Sequence, residues 1–185
     1  RATEGVSVSV YANPAFSGNP SFSTLPSLAL DNLKYPQTGK AFSILQKTIY
    51  KNEKQGYVSF TLKTNGATTF FINGEKFLEG NVEKSVFLPA GNILLELKSV
   101  YPAYVKPSTT LAIKPANKES SEVNQNLLFL SPPINNNGLL AKYYQGESWA
   151  GTPLIINTDA NIDFYFHIHP IAQPWSTSWE GQLEI

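Results

Sequence analysis

Hydrophobic and polar residues alternate along short stretches of this chain, and the alternation predicts β-strands. In the segment GVSVSV, Val6, Val8 and Val10 face one side of an extended chain while the intervening serines face the other. Further strands rich in Val, Ile, Phe, Tyr and Thr are predicted at residues 41–50, 56–62, 68–72, 84–88, 92–99 and 110–114. No capped stretch of helical periodicity is long enough to predict more than a helical turn. Many short strands at regular spacing indicate an all-β protein, an antiparallel sandwich or barrel.

Turn and breaker residues separate these strands. Asn73-Gly74, between TTFFI and EKFL, predicts a type I′ hairpin because both central positions of this turn have positive φ. A second tight turn is predicted at LPAGN, residues 88–92. The segment PPINNNG is rich in breakers, and we predict that residues 132–137 form a linker. Residues 127–130, just before it, are expected to pack on the preceding unit as its last strand.

The sequence repeats itself at an offset of 133 residues, the separation of Tyr11 from Tyr144. The other matching pairs are Gly5/Gly138, Phe16/Trp149, Gly18/Gly151, Pro20/Pro153, Phe42/Trp175 and Ser43/Ser176. A period above the ~20–50 residues of solenoid repeats indicates that each copy is a domain. We therefore predict a tandem repeat, with one complete domain in residues 1–131 and a fragment of a second copy in residues 138–185.

The composition argues against several classes of protein. Acidic and basic residues balance at 14 each, so we expect no basic surface for nucleic acid or for an anionic membrane. The absence of cysteine excludes disulfides, a thiol nucleophile and thiolate metal ligands. No apolar run approaches the ~18 residues of a membrane helix, so direct membrane insertion is not expected. Because the chain also lacks methionine, we expect it to belong to a longer polypeptide.

No arrangement of catalytic or metal-binding residues emerges from the sequence. We find no paired acid and base, no nucleophile with an orienting histidine and no phosphate-binding glycine loop. The acidic residues that we considered are scattered singly: Asp31, Glu75, Glu96 and Glu180. His167 and His169 would share one face of a strand, but two ligands do not complete a metal site. We therefore predict that the chain is not an enzyme and holds no metal.

Two parts of the chain resemble the PA-fourteen domain, a family named after the protective antigen of a bacterial toxin. Residues 138–164, GLLAKYYQGESWAGTPLIINTDANIDF, and residues 175–185, WSTSWEGQLEI, closely resemble the opening third of that domain. The first copy resembles the whole domain through six ordered motifs: YANPAFSGNP, FSILQKTIY, GYVSFTL, TTFFINGEKF, VFLPAG and ILLEL. The resemblance implies an antiparallel two-sheet β-sandwich, followed by the first strands of a second similar sandwich.

The family resemblance also implies a function in carbohydrate recognition. PA-fourteen domains occur in glycosidases, glycosyltransferases, adhesins and surface proteins, and in toxin assembly. In the calcium-dependent adhesins of the family, two successive aspartates hold the ion that binds the sugar hydroxyls. The matching loop here, residues 63–67 (KTNGA), has no carboxylate. We therefore predict no cofactor; calcium is the alternative, although its paired aspartates are absent.

Aromatic and amide side chains are the candidates for sugar binding, because pyranose rings stack on aromatic faces. We predict the ligand-binding residues Asn65, Asn73, Tyr101, Tyr104 and Trp179. Trp149 and Trp175 align with Phe16 and Phe42 at strand-like positions, so we expect both tryptophans in the core.

The predicted function is a noncatalytic carbohydrate-binding or adhesion-type accessory module of a larger extracytoplasmic protein, attached to a glycosyltransferase or a glycosidase. Its partners would be a glycan or surface polysaccharide and the rest of its polypeptide, in an extracellular, periplasmic or cell-surface location. The alternative is a structural spacer or assembly domain that binds protein, as in toxins or surface fibres. A sugar module should have a groove with exposed aromatics beside amide or carboxylate groups. A spacer should have an apolar patch or a rigid interdomain contact.

Overall fold

A computed structural model describes residues 3–30, 33–115, 118, 127–130, 138–159, 162 and 169–181. The strands are β1 (Val6–Tyr11), β2 (Ser21–Leu25), β3 (Phe42–Asn52), β4 (Gly56–Thr64), β5 (Ala67–Ile72), β6 (Glu75–Glu79), β7 (Val82–Leu88), β8 (Gly91–Tyr101), β9 (Thr109–Lys114), β10 (Leu128–Phe129), β11 (Leu139–Gln145), β12 (Ile155–Asp159) and β13 (Trp175–Glu180). The predicted all-β fold is confirmed. Each strand predicted from alternation is present, with ends shifted by no more than two residues.

The strands form three antiparallel sheets that are stacked on one another. The large sheet has the strand order β2-β1-β3-β8-β5-β6. Strand β10 pairs with β3 on the same side as β1, next to the residues of β3 that pair with β1. The small sheet has the order β7-β4-β9 and packs on one face of the large sheet to form the sandwich. The third sheet has the order β12-β11-β13 and packs on the opposite face. The segment that we expected to close the first unit is β10, which pairs with β3.

The alternation seen in the sequence produces the core of the sandwich. Val8 of β1, Ile44 of β3 and Phe60 of β4 are fully buried in one apolar cluster between the large and small sheets. The apolar run NILLEL in β8 breaks the alternation because both faces of this strand are covered. Leu95 faces the sandwich core, whereas Leu94 faces the third sheet.

A second apolar cluster holds the third sheet on the large sheet. Ile49 and Leu94 on the large sheet contribute to it together with Ala141, Tyr143 and Ile155 on the third sheet. The backbone of β8 also lies close to a side chain of the third sheet, since a Cβ added to Gly91 would lie 2.9 Å from the Nδ2 atom of an asparagine on β12. The described part of residues 138–185 therefore packs on the sandwich.

Strands β11 and β13 of the third sheet pair in the same register as strands β1 and β3 of the large sheet. In the large sheet Ser7 pairs with Lys47, and in the third sheet Leu140 pairs with Glu180. Each partner in the second pair lies 133 residues after its counterpart in the first. The same faces of β1 and β11 are also buried, in the first and in the second apolar cluster respectively.

Strand β12 departs from this correspondence by one residue. Val10 pairs with Ser21, whereas Tyr143 pairs with Ile155, which lies 134 residues after Ser21. Side chains of a strand alternate between its two faces. A shift of the pairing by one residue therefore moves each side chain to the opposite face of the sheet. The slip turns Ile155 toward the second apolar cluster.

The predicted turns are present. Asn73 and Gly74 have φ angles of 50° and 80°, the positive values of a type I′ turn. Pro89 and Ala90 join β7 to β8 inside the second predicted turn. Residues 132–137, the predicted linker, lie outside the described residues, as do Asp31 and His167.

The position expected for Trp149 is wrong. Its side chain is 68% exposed, because it lies in the loop between β11 and β12 and not on a strand. Trp175 packs against the second apolar cluster, as expected. Strand β2 was not predicted, because four of its five residues are exposed and carry little hydrophobic signal.

Candidate functional site

The five predicted ligand-binding residues lie in two separate regions. Asn65, Tyr101 and Tyr104 lie at the end of the sandwich where β5 begins. Asn73 follows the other end of β5 and lines a cavity with Asp159, the hydrogen-bond partner of Trp179. The fold therefore does not bring the five together in one site.

Asn65 holds a neighbouring loop in place. Its Nδ2 atom donates to the carbonyl oxygen of Lys106 at 2.9 Å, and its Oδ1 atom accepts from the backbone N–H of Ser108 at 2.9 Å. The loop that the resemblance associates with calcium is thus a tight turn between β4 and β5. Tyr104 lies in the loop that Asn65 holds, is 69% exposed, and has its hydroxyl beside Gly39.

Tyr101 belongs to the core. Its ring is fully buried and stacks on Phe42, with 5.5 Å between the ring centroids. Its hydroxyl hydrogen-bonds with that of Thr109, which in turn bonds to Thr64 at 2.7 Å. Burial raises the pKa of Tyr101, and the hydrogen bonds to neighbouring hydroxyls partly oppose the rise. Neither face of the ring is open to a ligand.

Asn73 and Trp179 both use their polar groups within the protein. Asn73 is buried, and its Oδ1 atom accepts from the backbone N–H of Leu94 at 2.9 Å. Trp179 is half-buried, and its Nε1 donates to the Oδ2 atom of Asp159 at 2.8 Å.

Asp159 is a buried carboxylate with three neutral donors. The Tyr143 hydroxyl and Trp179 donate to its Oδ2 atom at 3.0 and 2.8 Å, and Asn157 donates to its Oδ1 atom at 2.7 Å. Burial, and then the charge of Asp159, raise the pKa of Tyr143, which keeps the tyrosine protonated as a donor. The cavity between Asp159 and Asn73 measures about 30 Å³, room for about one water molecule. This region joins the sheets and is too small for a sugar.

A groove of about 570 Å³ runs along the edge strand β2. Phe22, which points from β2, is 77% exposed and lines this groove. Asn19 and Lys34 bring an amide and an ammonium group to it, and Tyr35 forms part of its wall. The groove therefore combines aromatic rings with polar side chains at one place on the surface.

The core supports the wall of this groove. The ring of Tyr35 stacks on Phe42 with 5.6 Å between centroids and 20° between planes, and Phe42 stacks on Tyr101. Tyr101 thus contributes to the groove only by holding other rings in position. Phe22 and Tyr35 were not among the residues predicted to bind a ligand. The signal in the sequence for Phe22 is an isolated phenylalanine between two serines directly after Gly-Asn-Pro.

The side chain of His169 contacts two neighbouring polar side chains. The Nδ1 atom of His169 lies 2.7 Å from the Oε1 atom of Glu75, and its Nε2 atom lies 3.0 Å from the amide nitrogen of Gln173. No group of three or more histidine, aspartate or glutamate residues suited to a metal occurs among the described residues. These residues also contain no helix long and apolar enough to cross a membrane.

Solved structures with a similar fold are found at low sequence identity. An anti-sigma factor domain-containing protein from Clostridium clariflavum matches 98% of this chain and 70% of its own, with a TM-score of 0.59 and 16% identity. The PA14 domain of the antifreeze protein MpAFP matches 70% of this chain and 91% of its own, with a TM-score of 0.54 and 8% identity. The A domain of epithelial adhesin 9 from Candida glabrata, in complex with Galb1-3GlcNAc, matches 72% of this chain and 93% of its own, with a TM-score of 0.50 and 12% identity.

These similarities concern the fold. The chain spans 16% of the length of beta-glucosidases from Kluyveromyces marxianus that it also matches. No protein-family profile and no curated protein matches the sequence. The described residues therefore form an all-β, antiparallel sandwich with a PA14-like fold.

Proposed function

We propose that this chain is a noncatalytic carbohydrate-binding module of a larger extracytoplasmic protein, and that the groove along β2 binds the glycan. One observation carries the proposal: an exposed aromatic ring lines the same groove as residues with amide and hydroxyl groups. Phe22 is 77% exposed, and Asn19, Ser21 and Ser23 line the same groove.

The chemistry of the groove suits a sugar. A pyranose has an apolar face of C–H groups and a rim of hydroxyls, so the ring of Phe22 matches the face and the amide of Asn19 matches the rim. A volume of about 570 Å³ lies in the range of small-molecule sites. The described lining contains no carboxylate, whereas cleavage of a glycosidic bond normally requires two. The groove is therefore suited to binding and not to hydrolysis.

The solved structures with a similar fold favour the same ligand class. The A domain of epithelial adhesin 9 is in complex with Galb1-3GlcNAc, and a beta-glucosidase that shares the fold over part of its length is in complex with glucose. We extend the proposal to an extracellular, periplasmic or cell-surface location and to attachment to a glycosyltransferase or a glycosidase.

A glycan array probed with the whole chain, with and without calcium, tests the proposal. The variants are Phe22→Ala and, as a matched control, Tyr57→Ala, since Tyr57 is 69% exposed on the small sheet. We expect calcium-independent binding by the parent chain and by Tyr57→Ala, and binding about tenfold weaker for Phe22→Ala. A blank array for the folded parent chain, or binding unchanged by Phe22→Ala, would contradict the proposal. The array should not use a chain ending at residue 131, because that truncation uncovers the outer face of the large sheet.

The second candidate function is a rigid spacer, and the packing of the third sheet favours it. Ile49 and Leu94 bury their side chains under that sheet, and Glu75 and His169 join the β5–β6 hairpin to the segment before β13. Because the chain has no cysteine, spin labels can be placed on single cysteines at Val82 and Leu154. A narrow distance distribution between them is expected for a spacer, and a broad one contradicts this role.

We also propose that residues 1–131 and 138–185 are tandem copies. The equal registers of the β1–β3 and β11–β13 pairs support it. A structure of a longer polypeptide tests it: beyond β13 the tandem model expects a strand that pairs with β13 as β8 pairs with β3.

A further inference from the structure

Another exposed aromatic ring lies on the third sheet, apart from the groove along β2. Trp149 is 68% exposed in the loop between β11 and β12. Its Nε1 atom donates to the carbonyl oxygen of Thr177 on β13 at 2.8 Å. The polar edge of the indole is therefore bound to the sheet while most of its surface remains in solvent.

The loop that carries Trp149 is fixed by further hydrogen bonds. The Ser176 hydroxyl donates to the carbonyl oxygen of Ser148 at 3.0 Å, and the N–H of Gly146 donates to the carbonyl oxygen of Pro174 at 2.8 Å. These bonds hold the loop against β13 on both sides of Glu147. A ring fixed before binding loses little conformational entropy when a ligand stacks on it.

Polar groups for a ligand lie in the same part of the third sheet. Glu147, from the Trp149 loop, lines a shallow depression together with Gln173 and Trp175. The carboxylate of Glu147 accepts hydrogen bonds, and the amide nitrogen of Gln173 lies 3.0 Å from the Nε2 atom of His169, which orients the amide. A shallow depression with an acceptor and an amide, reached by the same loop that carries Trp149 two residues after Glu147, suits a single sugar unit.

We propose that Trp149, Glu147 and Gln173 form a second carbohydrate-binding surface, a platform for the C–H face of a β-linked hexopyranose. A protein partner fits less well, because a protein contact of this kind needs a contiguous apolar patch. The residues next to Trp149 in its loop are exposed and small or polar: Glu147, Ser148, Ala150, Gly151 and Thr152. The platform is separate from the groove, and its binding does not depend on the function proposed for the groove.

Two such surfaces on one rigidly packed chain would act together on a polymer. A polysaccharide that reaches both would bind more tightly than either site alone, because the second contact forms at high effective concentration. Short sugars would occupy the two surfaces independently.

Indole N–H signals in a two-dimensional NMR spectrum test the platform directly. The chain has three tryptophans, and the spectrum of Trp149→Phe identifies the signal of Trp149. The probes are methyl β-glucoside, methyl β-galactoside and cellobiose, each titrated into the whole chain. We expect a saturable shift of the Trp149 signal with at least one probe, unchanged in Phe22→Ala and in Tyr57→Ala. We expect Trp149→Ala to weaken binding of that probe at the platform about tenfold.

Three outcomes would overturn the inference: no saturable shift of the Trp149 signal with any of the three probes, loss of the shift in Phe22→Ala, or platform binding that Trp149→Ala leaves unchanged. The second outcome would assign all binding to the groove. If Trp149→Ala does not fold, as judged from the two remaining indole signals, Glu147→Gln replaces it. This exposed side chain lines the depression and takes no part in the hydrogen bonds that fix the loop, and its substitution should weaken binding severalfold. Unchanged binding by Glu147→Gln would then count against the platform.

Discussion

The Tyr143 hydroxyl on β11 donates to the Oδ2 atom of Asp159 on β12 at 3.0 Å, and both groups are buried. Trp179 on β13 donates to the same oxygen at 2.8 Å. One carboxylate therefore links all three strands of the third sheet. It does so through neutral donors, and their hydrogen bonds offset part of the cost of burying the carboxylate.

Asp159→Ala should destabilise the protein strongly, because it removes the acceptor of three hydrogen bonds, from Tyr143, Trp179 and Asn157. We expect a loss of about 3 kcal/mol in the free energy of unfolding, and a smaller loss for Asp159→Asn, which keeps one acceptor oxygen. Urea unfolding followed by tryptophan fluorescence measures both. Glu180→Gln is the control, since it removes only a surface ion pair with Lys142 on the same sheet. Equal midpoints for Asp159→Ala and Glu180→Gln would contradict this account.

Alkaline pH should destabilise the chain through its buried tyrosines. Burial, with a smaller contribution from the charge of Glu53, raises the pKa of Tyr50 to about 12. An unfolded tyrosine ionises near pH ~10, so between these values the unfolded state releases its proton first and stability falls as pH rises. Tyr50 alone should cost about 1.4 kcal/mol per pH unit in this window. The pKa values of Tyr101 and Tyr143 are also raised and add to the slope.

Tyr50→Phe should make this slope shallower without abolishing it. The substitution keeps the buried ring and removes the group that ionises. Free energies of unfolding in urea, measured from neutral pH to about pH 12 for both chains, give the two slopes. The same slope in both chains would show that Tyr50 does not carry this part of the pH dependence.

The sequence predicted the strands well because most of them bury one face. The alternating valines of β1 fit a strand that is covered on one face. The continuous apolar run NILLEL of β8 fits a strand that is covered on both faces. Strand β2 lies at an edge with exposed side chains, so it has no such pattern, and the groove that it forms was missed with it.

The candidate site was harder to predict than the fold, because a side chain's role depends on its surroundings. Tyr101 and Asn73 have the residue types of a sugar site, yet both are buried. Trp149 was assigned to the core by its alignment with Phe16, but Phe16 itself has a φ of 53° and follows β1 in a loop. The alignment matched the two loops without revealing that they were loops.

Asn73 should contribute to stability at the hairpin. Its φ of 50° is costly for most residues, and its Oδ1 atom satisfies the N–H of Leu94. Asn73→Ala should therefore cost about 1–2 kcal/mol, measured by thermal or urea unfolding. Asn73→Asp keeps the acceptor and the tolerance of positive φ, so it should cost less. If the two variants are equally stable, the hydrogen bond to Leu94 is not what matters at this position.

A tight contact at the start of β5 gives a further prediction. A Cβ added to Gly66 would lie 2.7 Å from a ring carbon of Tyr101 and 2.8 Å from the carbonyl oxygen of Val100. Gly66→Ala should destabilise the chain by about 1–3 kcal/mol through overpacking. Ala67→Ser, at the exposed neighbouring position, is the control and should leave the urea midpoint unchanged. Parent-like stability of Gly66→Ala would mean that the Tyr101 ring can move aside.

Removal of the third sheet should expose an apolar surface on the sandwich. Ile49 and Leu94 are 6% and 7% exposed in the whole chain, and a chain that ends at residue 131 uncovers both. We expect this shorter chain to lose about 3–5 kcal/mol of stability and to associate, as seen by urea unfolding and by light scattering during size-exclusion chromatography.

A double substitution tests whether the uncovered apolar face causes the association of the shorter chain. Ile49→Thr with Leu94→Thr should reduce association of the shorter chain, because threonine suits an exposed strand position. In the whole chain the same pair should be destabilising, because it places two hydroxyls in the second apolar cluster. Opposite effects in the whole chain and in the shorter chain would identify the face under the third sheet as the apolar surface that the third sheet must bury. A shorter chain that is monomeric and as stable as the whole chain would show that the third sheet adds nothing to the sandwich.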